Sequence, residues 1–520
     1  MAAHAGALRY RPSHDADDPP PHWLSGTALA WAGGGMFVAS LVLLASAMAL
    51  FRPTLAGAPL LSLSDRAPSP VVPLEEAGYV FAGLAVAAGL LAIHRGWRPS
   101  GRLLFGIGAA VALFYVFLPP IAGDSDVLDY AIYGRIAFLG HSPYLITPAQ
   151  FLHSGDPVGA FAPRQFITWP TVYGPIATIM QWSAAWLGGS SMVMIVLWLK
   201  LGNAVAFLGT GAGLTWLTRS DPVLRGRAAV LWTVNPLMLF WLVGDGHLDV
   251  WLALLAVLAL VVFKSRYGSH PAGGFLTGVI LGTGIAIKSP FALLVLGFIW
   301  AARRSPRVLA SGLAGAVAVL VPSYLFPGAL DGGTLERRLT WNPGYLHLPA
   351  FITSDIAFYA ATLLAGAAVL SLLLLWRLPS ADAAMPAVRP AVALVLAYLV
   401  VFPTEGPWYD ALIFPLLALM AAGWLEYLVV AQCVILSLLG GPAVPTSWAR
   451  QIEHVVGLAS HVGLLLVPVA LVVMSVRRAW GLDSAGASEE TGGAAAPAAS
   501  QGSLVVQVHR GGRHRLPAHR

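Results

Sequence analysis

The chain is dominated by apolar runs whose length fits a lipid bilayer. Each holds about 17–25 residues, enough for a helix to cross a hydrocarbon core of about 30 Å. The runs recur from Gly26 to Ser475, and the turns between them are mostly short and carry arginine. Because every backbone polar group in lipid needs a partner within its own segment, such runs form helices. The expected fold class is therefore all-α, a polytopic bundle of transmembrane helices.

The composition excludes a soluble globular protein. Of the 520 residues, 57% are hydrophobic and only 10% are charged, which leaves too few charges to cover the surface of a soluble fold. The net charge of +6 does not indicate a nucleic-acid partner, because the basic residues gather in short turns and in the C-terminal tail. The lone cysteine, Cys433, excludes disulfides within the chain and metal centres built from several thiolates.

The basic turns predict the topology. Lysine and arginine mark cytoplasmic loops, and this rule gives about 13 or 14 spans with both termini in the cytoplasm. Residues 1–25 then form a polar cytoplasmic segment without a removable signal peptide, and 477–520 form a disordered, basic cytoplasmic tail. The runs at 290–302 and 408–422 are short enough to be tilted, merged or re-entrant. The predicted spans are 26–51, 76–94, 103–122, 190–217, 228–244, 248–263, 272–288, 290–302, 307–326, 351–376, 388–403, 408–422, 423–441 and 456–476.

One long polar interval, 123–189, separates the first three spans (26–122) from the remaining bundle (190–476). Its run 176–188 is too short to cross a bilayer, and counting it as a span would place the basic turn at 219–227 outside the cell. We therefore predict a re-entrant or interfacial helix there. The whole interval becomes one large extracytoplasmic loop with short interfacial helices, and we expect catalysis in it.

Carboxylates and aromatic side chains concentrate in this loop. Asp124, Asp126 and Asp129 follow the third span directly, and a helix that begins at Asp126 places Asp126 and Asp129 on one face. Helix capping alone would explain some of these acids. Acids followed by aromatic rings are also typical of a site for a hydroxyl-rich ligand, although an interfacial aromatic belt gives the same excess. The aromatic residues are Tyr130, Tyr133, Tyr144, Trp169 and Tyr173.

Two further polar elements fall at predicted outer helix ends. Asp245, His247 and Asp249 surround one turn, but a single histidine without a third local ligand gives little support for a metal, so no metal site is predicted. These residues either contact or support substrate, or they are simple turn residues. Trp408 is equally compatible with an anchor in the aromatic belt and with a platform for a ligand.

Three basic residues lie on the side that the positive-inside rule disfavours. Lys288 ends the run 272–288, and Arg337 and Arg338 follow the span 307–326. Each is either a cation that extends to the membrane surface as an anchor or a ligand for a lipid phosphate. Glu336 is placed to neutralise one of the two arginines.

At these residues the chain resembles the glycosyltransferase C superfamily, most closely the bacterial polyprenol-phosphate-mannose-dependent α-1,6-mannosyltransferases. The resemblance rests on the order of several elements rather than on any one of them. They are SDVLDYAIYGRIAFLGHSPY (125–144), DP (156–157), TVYGP (171–175), NPLMLFWLVGDGHLDVWL (235–252), GTGIAIKSP (282–290) and GPWYDALIFPLL (406–417).

The resemblance implies a catalytic acid in the first large outer loop, and Asp126 stands at its position. It also implies a polyprenyl-phosphate sugar donor, mannose foremost, a lipid-linked glycan acceptor outside the cytoplasm, and an inverting transfer at the bacterial plasma membrane. One base is enough for this reaction, because a polyprenyl phosphate leaves without being protonated. No cofactor is expected, and a divalent ion is left open. The residues expected to bind substrate are Asp124, Asp129, Tyr130, Tyr144, Tyr173, Asp245, His247, Asp249, Lys288, Arg337, Arg338 and Trp408.

Other functions are compatible with a many-helix bundle. A transporter or flippase of a lipid-linked or polar solute would also carry buried ionisable groups, but such proteins usually show internal repeats and midplane charges. We find no convincing repeat, and the ionisable residues collect at helix ends on one side. A structural subunit of an envelope-synthesis complex and a lipid-linked oligosaccharide ligase are the remaining alternatives.

Overall fold

A computed structural model of the chain describes residues 25–50, 71–120, 126–163, 166–330, 356–378, 385–401 and 406–439. Within these ranges all regular secondary structure is helical, which confirms the predicted all-α class. The predicted span 456–476, the cytoplasmic tail, Asp124, Arg337 and Arg338 lie outside the described residues.

The helices follow the apolar runs closely. The α-helices are α1 Gly26–Leu50, α2 Val71–His94, α3 Gly101–Val116, α4 Asp126–Phe138, α5 Pro148–Leu152, α6 Pro175–Gly188, α7 Met192–Leu217, α8 Pro222–Ala228, α9 Pro236–Met238, α10 Asp249–Lys264, α11 Pro271–Ile287, α12 Ala292–Ala302, α13 Pro306–Ser323, α14 Ile356–Arg377, α15 Val388–Val401, α16 Ile413–Leu417 and α17 Trp424–Leu439. Short 3-10 helices lie at Gly159–Phe161, Ser289–Phe291 and Pro407–Leu412, and π-helical turns at Ala229–Thr233 and Leu239–Gly244.

Five helical segments of the described chain are long and apolar enough to cross a membrane: α1, α2, α7, Pro222–Gly244 and α13. Shorter apolar helices, among them α3, α11 and α17, accompany them. The chain is thus a multi-pass helical membrane protein, as predicted. The number of spans inferred from the sequence stays a prediction.

The predicted span 408–422 is not one continuous helix. A 3-10 helix, Pro407–Leu412, passes into the five-residue helix α16, and the chain then turns before α17 begins. Residues 410–420 of this segment are buried in protein. Irregular backbone is tolerated at membrane depth when protein rather than lipid surrounds it, so apolarity here reflects a buried connection.

The predicted span 228–244 belongs to a broken helix that extends over Pro222–Gly244. Asn235 and Pro236 interrupt it, and the Asn235 side chain accepts hydrogen bonds from the backbone N–H groups of Leu237 and Met238 at 3.1 and 3.4 Å. A π-helical turn precedes this break and another follows it. Such turns are often found beside functional sites. The second turn, Leu239–Gly244, leads directly into the segment that carries Asp245 and His247.

Glycines allow two long helices to approach closely. On α11, Gly274, Gly278 and Gly282 recur every four residues and face α13, where a Cβ added at Gly278 would overlap with the carbonyl oxygen of Gly312. Small residues at this spacing are the usual means of helix contact in membranes, because lipid gives helices no hydrophobic reason to associate. Close packing of α11 on α13 thus helps to position Lys288, which directly follows the last turn of α11.

Candidate active site

Asp126 is the centre of a buried polar cluster. The hydroxyls of Tyr130 and Tyr173 donate hydrogen bonds to its Oδ2 atom at 2.9 and 2.8 Å. The Nδ1 atom of His247 lies 3.5 Å from the same oxygen, an ion-pair distance. The Asp126 side chain keeps 12% of its surface exposed, and no hydrogen bond from the described residues reaches Oδ1. One oxygen is therefore held by protein while the other stays available.

Local structure explains how two of these groups meet. Asp126 opens α4, so Tyr130 lies one turn further along the same helix face. Tyr173 comes from the loop before α6 and is placed by Gly174, whose N–H donates to the Ile287 carbonyl at 2.9 Å. A side chain at Gly174 would overlap with the Ala286 carbonyl oxygen, so glycine is required for this approach.

His247 lies between two carboxylates. Its Nε2 atom is 2.9 Å from Oδ2 of Asp245, and its Nδ1 atom faces Asp126. The Trp408 ring stacks on the imidazole with 3.7 Å between centroids and 10° between planes. The side chain of His247 is completely buried, so it acts on substrate only through its neighbours.

Asn203 of α7 fixes the backbone that carries this imidazole. Its Nδ2 atom donates to the carbonyl oxygens of Leu242 and His247 at 3.0 and 3.1 Å. Its Oδ1 atom accepts from the Trp251 indole at 3.0 Å. A buried amide that uses its donors and its acceptor in this way ties the segment after the broken helix to α7 and α10.

Lys288 forms a second, buried ion pair beside the first cluster. Its Nζ atom lies 2.9 and 3.0 Å from the two carboxylate oxygens of Asp249, at the start of α10. The same ammonium lies 3.8 Å from the Tyr409 ring centroid and 5.9 Å from that of Tyr173. Tyr173 thus contacts both Asp126 and the region of Lys288, and the two predicted groups belong to one site.

The charges of the cluster shift two pKa values in opposite directions. Burial alone would lower the pKa of His247, but Asp126 and Asp245 outweigh it and raise this pKa to about 9. Burial alone would raise the pKa of Asp126, but His247, Lys288 and the Tyr173 hydroxyl together lower it. At neutral pH the two groups therefore form a charged pair.

Asp129 behaves differently from Asp126 although both lie on α4. Its side chain is buried, and its Oδ1 atom has no hydrogen-bond partner among the described residues. Burial, followed by the negative charge of Asp126, raises the pKa of Asp129 well above its usual value. The helix face predicted from the sequence thus carries two acids whose pKa values are shifted in opposite directions.

Tyr144, one of the residues predicted from the sequence to bind substrate, lies apart from this cluster. Tyr144 pairs its hydroxyl with that of Thr178 at 3.0 Å and contacts the Phe326 ring at 5.8 Å. These contacts do not include Asp126, His247 or Lys288. A cavity of about 650 Å³, lined by His141, Gln150, Phe151 and Asp156 among others, likewise contains no member of the cluster.

Two contributors were missed by the sequence analysis. Tyr409 covers Lys288, and its only sequence signal is its place beside Trp408 in the element GPWYD. Asn203 is visible only as an amide within the apolar run of α7. In the described part of the chain, no group of three His, Cys, Asp or Glu side chains is arranged to hold a metal ion.

The fold and this site define a multi-pass membrane protein with a cluster of buried acid and base groups at adjoining helix ends. Residues 32–304 match the family described as alpha-(1->6)-mannopyranosyltransferase, N-terminal domain. Because the match spans just over half of the 520 residues, the chain belongs to this MptA_B family. The resemblance found in the sequence is thereby confirmed, and the family supports a mannosyltransferase activity. No curated protein and no solved structure matches the chain.

Proposed function

We propose that this protein transfers mannose from a polyprenyl-phosphate donor to a hydroxyl group of a lipid-linked glycan. The proposal takes the sugar from the family, and it takes the donor, the acceptor and the inverting course from the resemblance of the sequence to enzymes of this type. Asp126 serves as the single base. The site faces the extracytoplasmic side of a bacterial plasma membrane in this proposal, because the basic turns then lie in the cytoplasm.

The arrangement of the Asp126 oxygens is the observation that carries the proposal. Oδ2 is engaged by Tyr130, Tyr173 and His247, whereas Oδ1 receives no hydrogen bond from the described residues. A carboxylate that is ionised, oriented through one oxygen and partly exposed is suited to accept a proton from a hydroxyl group. Tyr130 and Tyr173, which the sequence predicts to bind substrate, would then orient the base.

The reaction needs no second carboxylate. Asp126 accepts the proton of the acceptor hydroxyl while that oxygen forms a bond to the anomeric carbon. The bond from this carbon to the phosphate oxygen breaks, and its electron pair leaves with the polyprenyl phosphate. A glycosidase instead uses a pair of carboxylates, one of which protonates a poorer leaving group.

Positive charge near the departing phosphate would stabilise the transition state. Lys288 supplies such charge within the cluster, although Asp249 already neutralises part of it. We therefore propose that Lys288, together with one of Arg337 and Arg338, stabilises the charge that builds on the departing phosphate. We also propose that four further residues lie near the bound sugars: Asp124, Asp129, Asp245 and Trp408.

Transfer from chemically defined donors tests the proposal. Membranes containing the protein would be incubated with labelled polyprenyl-phosphate sugars, one sugar at a time, and a lipid-linked mannan acceptor. We expect mannose to be transferred, and the anomeric configuration of the product to be opposite to that of the donor. An α-linked product then requires a β-linked donor. Retention of configuration would contradict the single-base mechanism, and transport of the donor without transfer would favour a flippase.

A further inference from the structure

The imidazole of His247 is buried away from the exposed oxygen of Asp126, so it needs a role other than contact with substrate. We propose that His247 is a positioning residue that remains an imidazolium, held by Asp245 and Trp408, and that this cation keeps Asp126 ionised and directs its Oδ1 atom toward the acceptor. This inference rests on the proposed function, in which Asp126 is the base.

The two carboxylates on either side of the ring define its protonation state. A neutral imidazole has one N–H group and one lone pair, so one of its nitrogens would face a carboxylate with a lone pair. Here Nε2 is 2.9 Å from Asp245 and Nδ1 is 3.5 Å from Asp126. The Nδ1 contact is an ion-pair distance without a hydrogen bond. The doubly protonated ring places positive charge, and no lone pair, beside both carboxylates.

Trp408 supports the cation from a third direction. Its ring is stacked nearly parallel to the imidazole at 3.7 Å. An aromatic face attracts a cation, and the parallel contact also prevents the imidazole from rotating out of line with the two acids. The 3-10 helix that carries Trp408 thus orients a ring that in turn orients Asp126.

Other ionisable groups surround Asp245, His247 and Asp126. Asp245 is attracted by Lys200 of α7 and repelled by Glu75 of α2. The Tyr79 hydroxyl of α2 lies within range of the Asp245 charge. Asp126 faces Lys288, the Tyr130 and Tyr173 hydroxyls, and Asp129 on its own helix. The Tyr133 hydroxyl, also on α4, is within range of its charge. Since these neighbours persist when His247 is replaced, the effect of the imidazolium can be isolated.

The pH dependence of transfer tests the inference. The pH profile of kcat/KM would be compared between the wild-type protein and His247→Gln, which keeps a polar side chain but cannot carry charge. We expect the acid limb, which reports Asp126, to move upward by about 1–3 pH units, because an opposite charge at this distance lowers a carboxyl pKa by about that amount. The rate of His247→Gln should also lack the fall near pH 9, where the wild-type imidazolium loses its proton, and this change in both limbs would separate loss of charge from loss of structure.

His94→Gln is the matched control. His94 also faces a buried carboxylate, with 3.8 Å between its Nε2 atom and Glu426, but it belongs to the other end of α2 and contacts none of the groups above. Its replacement should leave the acid limb where it is. An unmoved acid limb in His247→Gln would overturn the proposal, while the assignment of Asp126 as base would still stand on its own variant.

A second variant keeps the proposal testable if His247→Gln does not fold. Asp245→Asn removes one of the two acids that hold the imidazolium, so the alkaline limb should move from near the raised pKa of His247, about 9, toward neutral pH. The acid limb should respond less than it does in His247→Gln. An alkaline limb that stays in place would show that Asp245 does not sustain the charge and would contradict the proposal.

Discussion

At the scale of single residues, the site depends on an unequal use of the two Asp126 oxygens. Tyr130, Tyr173 and His247 converge on Oδ2, and each of them favours the ionised form of the acid. The same carboxyl group without these partners would be a buried acid with a raised pKa, as Asp129 is. The pKa values of two acids three positions apart on one helix are thereby shifted in opposite directions.

Replacing Tyr173 by Phe tests this use of the oxygens. Tyr173→Phe removes a hydrogen bond of 2.8 Å to Oδ2 without changing the shape of the ring. Hydrogen bonds to charged groups contribute about 1.5–3 kcal/mol, so the pKa of Asp126 should rise by about one unit or more. The acid limb of the pH profile should move upward accordingly, and transfer at neutral pH should fall.

Tyr133→Phe is the control for this variant. The Tyr133 hydroxyl donates to the Trp169 carbonyl at 3.0 Å and does not contact Asp126. Its loss should lower stability slightly and leave the acid limb in place. Equal shifts in the two variants would mean that the limb does not report the Asp126 carboxylate.

The sequence predicted part of this site and missed the rest for a physical reason. Helical spacing places Asp126 and Asp129 on one face, and it could be read from the sequence. The pairing of Lys288 with Asp249 joins residues 39 positions apart, and it depends on how α10 and α11 pack. No local pattern specifies which acid a buried lysine will meet. The sequence therefore indicated Lys288 as either an anchor or a ligand for a lipid phosphate, and it did not indicate its partner.

At the scale of elements, breaks in helices supply the functional backbone. The broken helix Pro222–Gly244 ends in the segment of Asp245 and His247, and the 3-10 helix Pro407–Leu412 carries Trp408 and Tyr409. Hydropathy predicted an apolar run at each place and could not predict the breaks, because it does not register which groups bond the freed backbone. These groups are local for Leu237, which donates to the Asn235 side chain, and distant for Leu242, whose carbonyl accepts from Asn203 of α7. The ends of α1, α7 and α10 were predicted to within two residues, whereas one end of α2 and of α3 differs from the prediction by five or six.

Glycine packing between α11 and α13 gives a prediction at this scale. Gly278→Val places a branched side chain against the Gly312 backbone, and overpacking of this kind costs about 1–3 kcal/mol. The melting temperature in detergent should fall, and the position of Lys288 at the end of α11 should become less defined. Gly106→Val, on α3, is the matched control, since nothing lies within 4 Å of an added Cβ there. Equal melting temperatures for the two variants would contradict close packing of α11 on α13.

At the scale of the whole molecule, the site extends beyond the family match. Residues 32–304 match the family, yet Trp408 and Tyr409 cover His247 and Lys288. A buried ion pair also joins the two regions, since Arg227 lies 2.9 Å from Glu426 and donates to the carbonyl oxygens of Met420 and Leu417. The site in the matched region 32–304 therefore also depends on residues that follow it in the chain.

Loss of that ion pair should destabilise the assembled molecule. Glu426→Ala leaves Arg227 buried without its counter-charge, which typically costs about 3–5 kcal/mol. The melting temperature should fall well below that of Asp156→Ala, which breaks the more exposed pair of Asp156 with Arg135. A smaller loss for Glu426→Ala than for Asp156→Ala would contradict a structural role for the buried pair.

The most direct test of the central claim is the rate at which Asp126→Asn transfers labelled mannose from its polyprenyl phosphate in purified membranes. We expect a loss of about 10²- to 10⁴-fold at normal expression, the usual range for removal of a general base. Asp221→Asn is the control, because asparagine caps a helix as well as the aspartate that caps α8, and it should transfer at the wild-type rate. Transfer by Asp126→Asn at the rate of that control would contradict the assignment of Asp126 as the base.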